Sequence, residues 1–175
     1  MWLHDLALFG RIALAAGLGF AVGWEREVRG HPAGSRTFAL VAAGSAGFTA
    51  IAIDAFPSTA EKLIGGVATG IGFIGAGVVL RDPNGHVRGL TTAAAIWAIA
   101  AVGVIAGASR FVLASLLTAL FLVLLELPSI PVLKLIDPAR WTQRFANDTE
   151  PPSASDPPKA PSPSHDRTGD PQGQS

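Results

Sequence analysis

Charged residues divide the chain into apolar runs of nearly regular length. Thirteen uncharged residues, IALAAGLGFAVGW, separate Arg11 from Glu25, and Leu6–Gly10 precede the arginine. Seventeen lie between Arg36 and Asp54, 18 between Lys62 and Arg81, 21 from Gly89 to Ser109 and 15 from Phe111 to Leu125. A helix rising 1.5 Å per residue needs about 20 residues to cross roughly 30 Å of hydrocarbon. The third and fourth runs reach that length almost unaided. The first, second and fifth reach it when a polar residue near one end (Arg11, Asp54 or Glu126) extends to the headgroups. The pattern predicts an all-α polytopic membrane bundle of about five transmembrane helices over residues 1–127. A soluble all-α protein would accommodate each short run singly. It would not accommodate five, joined by short polar loops, with too few charges to wet their outer faces.

Composition agrees. Of 175 residues, 49% are hydrophobic and 15% charged, with a mean hydropathy of +0.41, whereas soluble domains carry about 25% charged residues. The net charge is zero, which argues against a nucleic-acid partner held through phosphates. Cysteine is absent, so disulfides, thiolate nucleophiles and Cys-ligated metals are excluded. Basic residues nevertheless favour one side of the five-span topology. Arg26, Arg29, Arg36, Arg81, Arg88, Lys134, Arg140 and Arg144 fall on one face, and Arg11, Lys62 and Arg110 on the other. The positive-inside bias then predicts an N-terminus outside and a C-terminus in the cytoplasm. No small-x-small cleavage site follows the first span; EREVRG reads instead as a stop-transfer flank.

Beyond the fifth span the chain changes twice. Pro128 and Pro131 should end the helix. Residues 128–145 then read either as a segment lying on the membrane surface or as a partly ordered continuation of the helix. Residues 146–175 contain seven prolines and no aromatic residue. Too little apolar area is available there to offset the cost of ordering, so a disordered tail is predicted.

Glycine is concentrated in the third span, LIGGVATGIGFIGAGVVL, where Gly65, Gly66, Gly70, Gly72, Gly75 and Gly77 occur. Each costs about 1 kcal/mol of helix propensity relative to alanine. Such residues permit either close backbone approach or a broken helix whose free backbone groups meet a ligand. The packing reading assigns Gly66, Gly70, Gly72, Gly75 and Gly77 to a helix–helix contact. Gly19 with Gly23, and Gly103 with Gly107, repeat the four-residue spacing. Gly70–Gly75 also fits G-x-G-x-x-G, but the fingerprint needs a preceding strand and an acidic residue about 20 positions on. Neither is present.

Polar residues gather at one set of span ends: Glu25 and Arg26, Arg36, Arg81, then Arg88, Thr91 and Thr92. Orientation signals, helix caps and turns explain much of this. Charges so near hydrocarbon also seek partners inside the bundle, and Glu25 with Arg36 or Arg88 is the expected pair. The stretches GWERE, PAGSRT, GIGFIGAGVVLR and VRGLTTAAAIW, in this order and at these junctions, resemble the membrane domain of the MgtC/SapB family. The resemblance spans roughly residues 5–127. It implies a multi-pass inner-membrane protein of bacteria linked to magnesium limitation and, in some members, to intracellular survival. The family's best-known member is similar to a regulator of the F-type ATP synthase rather than to a magnesium pump, and carries a folded cytoplasmic domain where this chain has its proline-rich tail. By the same resemblance Glu25, Arg26, Arg36, Arg81, Arg88, Thr91 and Thr92 are the polar members of the family pattern.

Two functions follow as expectations. One is a non-enzymatic protein, without cofactor, that binds another integral membrane protein or a second copy of itself. The other is a cation pathway, for example for Mg²⁺. Such a hard ion requires several oxygens, while Glu25, Asp54 and Glu126 lie at span ends. Residues paired for enzymatic catalysis are not evident.

Overall fold

The computed structural model describes residues 2–81 and 87–127, with only the backbone of residues 80 and 81. The expectations for residues 128–145 and 146–175 lie outside the described residues. Among the described residues, five α-helices follow one another: α1 (Trp2–Val28), α2 (Ser35–Ala55), α3 (Ala60–Val78), α4 (Leu90–Gly107) and α5 (Phe111–Glu126). A 3-10 turn, Pro57–Thr59, introduces α3. The protein is an all-α bundle, and its helices 1 to 4 are long and apolar enough to cross a membrane. The 16 residues of α5 rise about 24 Å, somewhat less than a full hydrocarbon core.

Tight contacts fix the helix directions. Gly19 of α1 faces Phe38 and Ala42 of α2, and Gly23 faces Gly34 and Ser35, so α1 and α2 are antiparallel. Gly103 faces Ala42 and Ser45, and Gly107 faces Ala46 and Thr49, so α4 runs parallel to α2. The centre is consequently built where Ala42 and Ala46 of α2 let its neighbours close in, with Phe38 of α2 and Ile96, Ile99 and Val102 of α4 fully buried beside them. A Cβ at Gly19 would stand 2.5 Å from the Phe38 carbonyl oxygen, and one at Gly107 2.5 Å from that of Ala46. Backbone approach at this distance excludes even alanine.

The close packing expected of the third span therefore lies elsewhere within the chain. Among the described residues, Gly66, Gly70, Gly72 and Gly77 have no neighbouring atom within 4 Å of a Cβ position, and Gly75 meets only Ala93, at 3.7 Å. Of the residues of α3, Ile71 alone is buried. The same four-residue spacing occurs in α1, α3 and α4, but only in α1 and α4 does it meet the α2 backbone.

Two strand residues on each side, β1 (Leu80–Arg81) and β2 (Val87–Arg88), pair antiparallel with Leu80 opposite Arg88. Arg81 and Arg88 thus belong to a short ladder between α3 and α4 rather than to the helices themselves. Gly89, with φ of 86°, turns the chain from β2 into α4. A Cβ there would strike the Val78 carbonyl, so glycine is required on both steric and conformational grounds.

Candidate functional site

The polar end of the bundle is assembled where α1 stops. Gly30 adopts φ of 74°; its N–H donates to the Glu27 carbonyl at 3.0 Å, and the His31 N–H donates to that of Arg26 at 3.0 Å. These two bonds are a Schellman stop, which needs a left-handed residue after the last helical turn. The stop holds Glu25, Arg26, Glu27 and Arg29 around one helix end, beside the N-terminus of α2.

Glu25 accepts a forked pair of bonds from Arg26, 2.5 Å from Nε to Oε2 and 2.7 Å from Nη2 to Oε1. Arg29, one turn further on, reaches Glu25 Oε1 at 2.6 Å. Its Nη2 also binds Glu126 at the end of α5. Arg26, Glu25, Arg29 and Glu126 thus form a continuous chain of alternating charge that joins α1 to α5 and sums to zero. The Arg26 side chain is 4% exposed and that of Glu25 11%. Charges withdrawn from water this far are stable only while paired and hydrogen-bonded, and forked arginine–carboxylate bonds supply both requirements.

Glu25 is therefore bound by Arg26 and Arg29, not by Arg36 or Arg88 as the sequence suggested. Consecutive helical residues diverge, which made Arg26 a poor expected partner; its long stem folds back to Glu25. Arg36 is exposed near the start of α2, and Arg88 is exposed in β2. Thr91 is exposed and Thr92 buried in the first turn of α4. Of Arg81, only the backbone pairing with Val87 is described.

Sequence reasoning placed Glu27, Arg29 and Ser35 at this end and Glu126 at a span end, but counted none of them in the candidate cluster and gave none a partner. Glu27 Oε2 accepts from the Ser35 backbone N–H at 2.9 Å and from its hydroxyl at 2.6 Å. Gly34, the residue before α2, offers no side chain to cap it, so the carboxylate crosses the loop to do so. A negative group there also complements the positive end of the α2 dipole. The signal was present in GWERE and PAGSRT: an acid seven residues before a Gly-Ser pair that opens a helix.

At the opposite end, His4 Nε2 lies 3.0 Å from Asp54 Oδ1, and Arg11 Nη1 donates to the Gly107 carbonyl at 3.3 Å. Arg11 thereby satisfies an orphan carbonyl at the end of α4. Glu25 and Glu126 consequently share one end of the bundle with two arginines, and Asp54 stands at the other. Among the described residues, no group of three acidic or histidine side chains could hold a metal ion.

Residues 12–130 match the MgtC family. The chain is 43% identical over 94 residues to the protein MgtC of Salmonella typhimurium, covering 54% of this chain and 40% of the relative. It is 32% identical over 153 residues to the protein SapB of Bacillus subtilis, covering 82% and 65% respectively. With an uncharacterized protein of Haemophilus influenzae the identity is 36% over 149 residues, covering 79% and 60%. The chain thus spans between two fifths and two thirds of the length of these relatives. No solved structure matches. With more than half its length matched and its apolar helices arranged as a bundle, the chain belongs to the MgtC family, as a multi-pass membrane protein.

Proposed function

We propose that this chain is a regulatory protein of the bacterial inner membrane that binds another integral membrane protein and serves magnesium homeostasis or adaptation to low magnesium. The supporting observation is the outward face of α3. Phe73 is 86% exposed there, between Gly72 and the small residues Thr69 and Ala76, and no core contact accounts for it. A protruding aromatic ring flanked by small residues suits a knob-and-hollow contact with a partner helix, because small residues let helix backbones approach in lipid. The link to magnesium rests on the family.

In this reading five spans place the N-terminus outside and the C-terminus in the cytoplasm. The end containing Glu25 and Arg26 is cytoplasmic. Their ion chain holds it together, while the exposed Arg36, Arg88 and Thr91 form its polar rim. Glu25 and Glu126 are committed to arginines, which leaves them poor ligands for a passing cation.

The test is complementation of growth at low Mg²⁺. Phe73→Ala and Gly72→Leu should impair growth while the amount and thermal stability of the membrane protein stay unchanged. Normal growth with both variants would remove the α3 face from the function.

A further inference from the structure

A cleft of about 590 Å³ opens between α2 and α3, lined almost entirely by apolar groups. Its walls include Leu40 and Phe48 of α2, and its α3 side runs from Lys62 to Ile74. Gly44, Gly66 and Gly70 also line it, and none has an atom within 4 Å of its Cβ position. The hollow exists because three side chains are missing, and the rest of the described chain does not fill it. Lys62 is the one charged residue of the lining; its acidic neighbour Glu61 is not part of it.

Dimensions decide what fits. Twelve helical steps separate Lys62 from Ile74, so the cleft extends about 18 Å along α3, close to the roughly 15 Å depth of one leaflet's hydrocarbon. Its volume over that length gives a mean cross-section of about 33 Å². A helix with its side chains is roughly 10–12 Å across and would rest over the mouth of the cleft rather than sink between α2 and α3. An extended hydrocarbon chain, with carbon contacts near 4 Å, has a section of about 15 Å² and enters readily. Lys62, at the membrane-surface end of this hollow, offers a positive charge at headgroup level. It lies at the end of the bundle opposite Glu25 and Arg26.

We propose that the α2–α3 cleft binds an anionic glycerophospholipid, with acyl chain between the helices and phosphate at Lys62. Phe73 is not part of the lining, although three residues from Gly70 and seven from Gly66 it borders the same side of α3; lipid retention and growth at low Mg²⁺ are separate readouts, so this proposal and the partner reading can fail separately.

The test uses the full chain purified in mild detergent, supplied with phosphatidylglycerol or phosphatidylethanolamine and measured by native mass spectrometry after detergent exchange. The wild type should retain one phospholipid, with about a threefold preference for phosphatidylglycerol, the scale of one exposed charge contact. Lys62→Gln should abolish the preference, with lipid still retained. Gly66→Leu and Gly70→Leu, which fill the cleft, should cut retained lipid about fivefold or more at unchanged thermal stability. Retention without headgroup preference, a preference that survives K62Q, or equal retention by the leucine variants would overturn the proposal. So would a wild-type dimer that G70L dissociates, since a second copy would then occupy the cleft. Should the leucine variants fail to fold, the exposed Lys62 substitution decides alone.

Discussion

Glu27 and Ser35 tie the last turn of α1 to the first turn of α2: one carboxylate oxygen accepts both the backbone N–H and the hydroxyl of the serine. Seven residues of loop and helix stop separate the two, and the Schellman turn at Gly30 brings them together. Removing the acceptor leaves a helix N-terminus uncapped beside the membrane surface. Glu27→Ala should lower the melting temperature by a few degrees, Glu27→Gln by less, and Ser35→Ala by an amount between them. Thermal unfolding of the detergent-solubilised protein measures this, and an unchanged midpoint in E27A would show that the cap carries no stability.

The ion chain predicts unequal costs along its length. Glu25→Ala strands the buried Arg26 guanidinium and should destabilise the bundle by about 3 kcal/mol. Glu126→Ala removes a half-exposed partner of Arg29 and should cost about 0–1 kcal/mol. Because both carboxylates share Arg29, the double variant should depart from the sum of the two single ones. Reversible unfolding of the four proteins completes the cycle, and strict additivity would contradict a continuous network.

Glycines of equal spacing should respond with opposite signs. Gly103→Ala drives a methyl group into the Ala42 carbonyl and should cost about 1–3 kcal/mol through overpacking. Gly70→Ala meets open space and should be neutral or up to about 1 kcal/mol more stable, by helix propensity. Equal losses at the two positions, read from the same unfolding curves, would place α3 against another helix.

Much of the architecture was legible in the sequence because charges and apolar runs report where water ends. The spans centred near Ala15, Ala46, Gly70 and Val102 each became one helix, and the junction motifs GWERE and PAGSRT fell at the ends that meet. Which glycines pack was not legible. Gly66 and Gly70 have the same spacing as Gly103 and Gly107 and also look toward α2, across the cleft; only the distance between the helices, set by the whole core, separates the two pairs. The pairing of Glu25 was missed for a related reason. Facing rules for helices favour partners three or four residues away, which identify Arg29, but give no hint that Arg26 folds back on its neighbour. Arg29–Glu126 spans 97 residues, a contact that only the parallel course of α1 and α5 creates.

Topology supplies a further prediction. Reporter fusions after Asp54 and Arg110 should be active outside, and a fusion after Ala146 in the cytoplasm, as the distribution of arginines requires. A cytoplasmic signal at both Asp54 and Arg110 would contradict the five-span arrangement.

The central claim is that this protein acts on a partner and does not itself conduct magnesium. Purified protein reconstituted into Mg²⁺-free liposomes carrying an entrapped Mg²⁺ indicator measures this directly. The account predicts no saturable Mg²⁺ entry above that of protein-free vesicles. Saturable entry that is lost on substituting Glu25, Asp54 or Glu126 would contradict it and assign those carboxylates to a cation path.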